Sequence, residues 1–169
     1  MLGPTAFFEE RVLFHPEIPL AVNQLLQAAV VATHDDQRQA ENLFKQAHQL
    51  DRSCLHSYFA LYKFYFYQGR LAEAESAVLA ALDEAARQSG MPEDFHHLAQ
   101  QSEQWNMYAS EVRLFYLYTL KALAFIKLRW QQLDEAHSIL SLLAALDPED
   151  RSGASVVMSL AEAILEEHA

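Results

Sequence analysis

The chain is predicted to be all-α, an array of stacked helix pairs, and three observations carry that expectation. The triplet Ala40, Phe44 and Ala47 returns as Ala74, Val78 and Ala81, at an offset of 74 − 40 = 34 residues. The same signal appears a third time at Ala136, Leu140 and Leu143. Glycine (4) and proline (5) are scarce in 169 residues, and hydrophobic residues make up 51%. That composition removes most β-sandwich and barrel folds and favours helix. A period of 34 in a helical chain marks helix-turn-helix units that bury their faces only by stacking.

The elements follow in order. Residues Ala6 to Phe14 fit a short helix that ends before His15-Pro16. Pro19 suits the first turn of the next helix, whose apolar pattern starts at Leu20. Leu25, Ala28, Ala29 and Ala32 give that helix a face of small residues, and Thr33 to Asp36 form a turn. Gln37 to Gln49 is the partner helix. Ser53 is expected to cap a third helix running to about Tyr67, with Gly69 at the break. Leu71 to about Arg87 follows, stopped by Ser89, Gly90 and Pro92.

The third copy of the triplet arrives late, at 136 − 74 = 62, so residues 89–116 read as an insertion. It is expected to hold a short helix near Glu93 to Gln101 and to extend the next helix backwards from Leu117. That helix runs to about Arg129, and Gln132 to Leu146 is its partner, stopped by Asp147-Pro148. Gly153 marks another break before a last amphipathic helix, Ala154 to Glu167, placed to cover the open end of the stack. With no flexible linker, residues 1–169 form one domain. Its units are 21–54, 55–88 and 117–150, with the capping helix at 153–167.

Charge and cysteine content narrow the function. The formal net charge is −11. A nucleic-acid binder normally carries a basic stripe, so no nucleic-acid partner is expected. The one cysteine, Cys54, excludes an internal disulfide and fits a reducing compartment. Glu9 and Glu10 interrupt any signal-peptide core, and Asn23, Gln24 and Gln27 break the apolar run Ile18 to Ala32. No membrane span or membrane partner is expected, and a cytoplasmic location is.

The unit from Leu55 places Tyr58, Leu61, Tyr65, Gly69, Leu71, Ala74, Val78 and Ala81 at offsets that resemble the tetratricopeptide repeat (TPR) family. The unit from Ala21 matches at Ala28, Ala40, Phe44, Ala47 and Leu50-Asp51. The unit from Leu117 matches at Leu120, Leu123, Ala124, Ala136, Leu140 and Pro148. Together they cover about three fifths of the chain. Two positions depart from the pattern: Tyr62 where a small residue is usual, and Leu143 where alanine is usual. Both should shift helix packing locally. The resemblance implies a right-handed superhelical array of antiparallel helix pairs, TPR-like with about three repeats, and a concave groove that binds peptides. A looser similarity to small bacterial proteins of this class covers Leu55 to Gln68, Leu114 to Arg129 and Asp147 to Val157. It brings an association with nitrogen-fixation genes that carries no mechanism.

Carrying the family's groove offsets onto this chain gives Val22, Leu25, Leu26 and Ala29 in the first unit. The second unit supplies His56, Phe59, Lys63, Phe66 and Tyr67, and the third Tyr118, Lys121, Phe125 and Arg129. Arg113 extends the same face. Cations interleaved with aromatics in an acidic chain suit an acidic protein or peptide segment. The structural alternative is that Phe59, Phe66 and Phe125 pack against a neighbouring helix while the lysines reach solvent. Leu25 and Ala29 stand where the family's chaperone-tail binders use Lys and Asn, which argues against that mode. Tyr58, Tyr62 and Tyr65 lie on the opposite face and read as core.

No nucleophile with a base, phosphate-binding glycine loop or metal motif is present. No catalytic residue, cofactor or metal is therefore expected. His96-His97 point about 100° apart on a helix and lack further ligands at suitable spacing. The acidic pairs read as solvated charge at helix ends. Trp105 and Trp130 suit either an exposed patch that makes a homodimer or interior packing. The leading expectation is a non-catalytic adaptor. A small secretion-type chaperone and an assembly or maturation factor are the alternatives.

Overall fold

Seams of small residues set how the helices meet. Ala29, Ala40, Ala47, Ala74, Ala81, Ala85 and Ala136 are all fully buried. All nine positions of the repeated triplet are buried, including Phe44, Val78, Leu140 and Leu143. A side chain one carbon long lets helix axes approach closely, and larger residues on either side interdigitate across the seam. The structure, a computed structural model, describes residues 18–167. The expected helix at Ala6 to Phe14 lies outside those residues.

Helices α1 (Leu20–Ala32), α2 (Gln37–Leu50), α3 (Leu55–Tyr67) and α4 (Leu71–Ser89) follow one another through short turns. A 3-10 segment, Phe95–Gln104, precedes α5 (Glu111–Arg129), α6 (Leu133–Leu146) and α7 (Ala154–Glu167). Each α-helix packs on the next in sequence order, and the 3-10 segment packs on α6. Among the described residues there is no strand, and no helix is long and apolar enough to cross a membrane.

The helix boundaries have local causes. Pro19 is the N-cap residue of α1, one position earlier than its expected place in the first turn. Asp36 caps α2 by accepting the Gln39 N–H, and Ser110 caps α5 by accepting the Arg113 N–H. The expected cap at Ser53 is displaced. Cys54 is the N-cap residue of α3 without a side-chain bond, and Ser53 instead donates its N–H and hydroxyl to Asp51 Oδ1. The insertion holds a 3-10 segment with a kink at Gln101 instead of an α-helix. As expected, α5 extends backwards from Leu117 into the insertion, starting at Glu111 after the Ser110 cap.

The turn after α3 is repeated after α5. Gly69 has φ +73°, and the next N–H, of Arg70, donates to Tyr65 O at 3.0 Å. Sixty-two residues later (131 − 69 = 62), Gln131 has φ +60°, and the Gln132 N–H donates to Lys127 O at 2.9 Å. The left-handed conformation costs little for glycine and more for a residue with a Cβ.

Asp147 closes loop 147–152 on itself and ties it to the insertion. Buried Asp147 accepts the Tyr108 hydroxyl, the Arg151 N–H at 2.9 Å, and the Ser152 N–H and hydroxyl at 2.9 and 2.6 Å. Burial alone would raise the Asp147 carboxyl pKa, but these bonds outweigh it and hold the pKa below 3.8. Burial and the same carboxylate push the Tyr108 phenol up to about 12. The insertion is thereby anchored, with Leu98 and Met107 buried beneath it.

Two outcomes are expected. Asp147→Asn removes an acceptor from buried donors and should cost about 2–3 kcal/mol in urea unfolding. Because the folded pKa is depressed, the carboxylate's contribution is complete above pH 3.8 and is lost as pH falls through the folded value. The wild-type melting temperature should therefore fall more steeply below about pH 4 than that of Asp147→Asn. Gln131→Gly relieves the left-handed strain at an exposed turn and should stabilise by about 0.5–1 kcal/mol. A destabilised Gly variant would mean that the Gln131 side chain contributes more than its backbone costs.

Candidate partner-binding face

The residues singled out in the sequence fall into two groups. On α3, His56 and Phe59 are half-buried and Tyr67 is exposed, while Phe66 is buried. Lys63 lies one turn beyond Phe59 and one turn before Tyr67. Its ammonium sits 5.8 Å from the centroids of both rings. The Phe59 ring stands edge-on to buried Tyr62. Phe66 meets Phe125 of α5 at 5.4 Å between centroids, and Arg129, exposed at the end of α5, places its guanidinium 5.6 Å from the Phe66 centroid. Phe59, Lys63, Phe66, Tyr67, Phe125 and Arg129 thus share one continuous surface, with Phe66 and Phe125 as its buried floor.

Tyr118 and Lys121 belong to a different construction. The Tyr118 hydroxyl donates to Arg151 O at 2.9 Å, and the buried Lys121 ammonium donates to Ser152 O at 2.6 Å. Both brace the loop that Asp147 organises. Arg113 is also a brace. It donates to Asn106 O and Ser89 O, and it stacks over Trp105 at 5.4 Å. Val22, Leu26 and Ala29 are core residues.

Tyr58, Tyr62 and Tyr65 are buried, as their spacing implied. Tyr58 donates to Arg52 O at 2.7 Å, and the Tyr62 and Thr119 hydroxyls lie 3.4 Å apart. Burial raises the Tyr62 pKa, and the hydrogen bond to Thr119 opposes it.

The cations of the face differ from most others in the chain. Lys45 pairs with Glu41, Arg70 with Glu41 and Glu73, Arg87 with Glu84, and Arg151 with Glu149. Lys127 is buried between Glu75 of α4 and Glu135 of α6, at 3.0 and 2.8 Å. Among the described residues, neither Lys63 nor Arg129 has a carboxylate within ion-pair distance. Their charges rest on aromatic rings, which offer weak compensation compared with an anion.

An open apolar cavity of about 550 Å³ adjoins Lys63, between α1, α2 and α3. Val30, Phe44, Phe64 and Ala60 line it with Phe59 and Tyr67. Sequence reasoning missed this cavity because it lies between three helices, α1, α2 and α3, while the groove offsets describe one helix at a time. Of its lining, Phe59, Lys63 and Tyr67 were singled out in the sequence, and Val30, Ala60 and Phe64 were not.

Elsewhere, His96 Nδ1 lies 2.8 Å from Asp94 Oδ1. Among the described residues, no three His, Cys, Asp or Glu are grouped to hold a metal ion. Trp105 is half-buried against the core, and Trp130 is 40% exposed. No family model, curated protein or solved structure matches the chain.

The division into floor and rim predicts unequal costs of truncation. Phe125→Ala should cost about 3–4 kcal/mol, because it opens a cavity between α3 and α5. Phe59→Ala should cost about 1 kcal/mol or less, since its ring is half exposed. Urea unfolding of the two variants measures the difference, and equal losses would make Phe59 a core residue.

Proposed function

We propose that this protein is a non-catalytic helical scaffold that binds an acidic segment of a partner protein. The segment lies across the face formed by Phe59, Lys63, Tyr67 and Arg129 over Phe66 and Phe125. The observation that carries the reading is the state of Lys63 and Arg129. In a chain of net charge −11, two cations are held over aromatic rings beside an open apolar surface, and no carboxylate among the described residues pairs with either one. Aromatic side chains give large contact area at low entropic cost, and cations beside them supply charge selectivity.

The architecture is read as TPR-like. Support comes from the 34-residue offset of the alanine triplet and the 62-residue offset shared by the third triplet and the turn at Gln131. Consecutive helices packed in order are consistent with a short solenoid that α7 caps. Tyr118 and Lys121 then serve the turn that seats α7, and the binding face is the α3 surface with the end of α5.

The test is charge reversal at the rim. Lys63→Glu with Arg129→Glu should leave the melting temperature within about 2–3 °C of wild type, as surface substitutions do. Affinity capture from native cell extract should recover a partner with wild type and lose it with the variant. A partner held equally by both proteins would place the site elsewhere.

A further inference from the structure

The cavity beside Lys63 has a composition that specifies its occupant. Its floor is the Phe44 and Phe64 rings, 5.2 Å apart, and Val30 and Ala60 contribute apolar wall. The neutral polar groups at the rim are engaged with one another. Thr33 donates its hydroxyl to Val30 O, Gln37 donates its amide to Thr33 O, and Gln68 donates its amide to Gln37 Oε1, each at 2.6 Å. Lys63 is the charged side chain of the lining, and no carboxylate pairs with it among the described residues. Phe66, which carries Arg129, lies one turn further along α3. One turn is a rise of about 5 Å, so the rings over which the two cations lie sit on neighbouring turns of α3.

We propose that this cavity is the anchoring subsite of the binding face. It takes one aromatic side chain of an acidic peptide, with a flanking carboxylate on Lys63 and a second on Arg129. The inference rests on the reading of the protein as a peptide-binding scaffold and adds the sequence class of the peptide. A volume of 550 Å³ lies within the usual 300–1,000 Å³ range of ligand sites. Phe44, Phe59, Phe64 and Tyr67 offer an inserted ring edge-to-face contacts that an aliphatic chain does not make. A nucleic acid fits poorly, because its phosphate backbone calls for a basic stripe and this face offers two cations.

The experiment is fluorescence anisotropy of labelled, end-capped peptides with the full chain. The probe is Ala-Asp-Phe-Glu-Asp-Ala. One control replaces Phe by Ala, and the other replaces the acids by Asn and Gln. The probe should bind wild type at least about tenfold more tightly than either control. Ala60→Phe fills the cavity, and Val30→Trp fills it from the exposed side of α1 should the first variant misfold. In a folded cavity-filled variant the aromatic advantage should drop below about twofold, with the preference for acidic peptide retained.

Equal binding of the aromatic and alanine peptides, both lost in Lys63→Glu/Arg129→Glu, overturns the anchor and leaves the scaffold reading standing. No binding of any peptide, with capture of the cellular partner unaffected by the charge reversal, removes both. Probe binding that rises on dilution, with a dimer in sedimentation, puts a second copy in the cavity and overturns the proposal. Binding seen only in Phe7→Ser/Phe8→Ser assigns the cavity to the chain's own first residues and also overturns it.

Discussion

From Phe115 to Leu128, every residue of α5 except Tyr118 is buried. A helix that is apolar around its whole circumference needs cover on all sides. Here α4 and α6 pack along it, α7 packs on it, and Phe66 of α3 meets Phe125. Two lysines are drawn into this environment, where an uncompensated charge would cost several kcal/mol. Lys127 is held by carboxylates from the helices on either side, Glu75 and Glu135, so one ammonium joins three helices. Burial would lower its pKa, but the two carboxylates outweigh burial and raise it. Lys121 answers the same problem with the Ser152 carbonyl.

The alanine seams were legible because a packing constraint leaves a mark on sequence. Ala40, Ala74 and Ala136 recur since only a small side chain fits there, and all three are fully buried. The functions of Tyr118 and Lys121 were not legible in the same way. Helical spacing put them on a face with Phe125, but their hydrogen-bond partners are backbone carbonyls of Arg151 and Ser152. A carbonyl belongs to every residue, so the pairing has no residue-type signature. The capping of α3 failed for a related reason. Ser53 could reach either the helix or Asp51, and the Asp51 carboxylate took both of its donors. The cavity beside Lys63 is lined from three helices, and no single-helix pattern encodes such a convergence.

Five cations of the described residues, Lys45, Arg70, Arg87, Lys127 and Arg151, are held by glutamates, and Arg113 and Lys121 by backbone carbonyls. A cation paired in this way has little left to offer a ligand. Lys63 and Arg129 are held over aromatic rings instead, where the quadrupole fixes their positions without neutralising them. That arrangement costs the fold little, because both side chains keep solvent contact. It also leaves their Coulombic interaction available to a carboxylate that arrives with apolar surface.

The insertion explains why the face has this form. Were α5 to start at a turn as short as the others, its first residues would meet solvent or a neighbouring unit. Instead Leu98 and Met107 are buried, Trp105 lies under Arg113, and Tyr108 reaches Asp147. The N-terminal half of α5 is thus fastened to the insertion by Arg113 and to loop 147–152 by Tyr118 and Lys121. At the C-terminal end Arg129 is exposed, with its guanidinium over the Phe66 ring. The helix is therefore buried from Phe115 up to Leu128, Tyr118 excepted, and brings one exposed cation, Arg129, to the edge of the α3 surface.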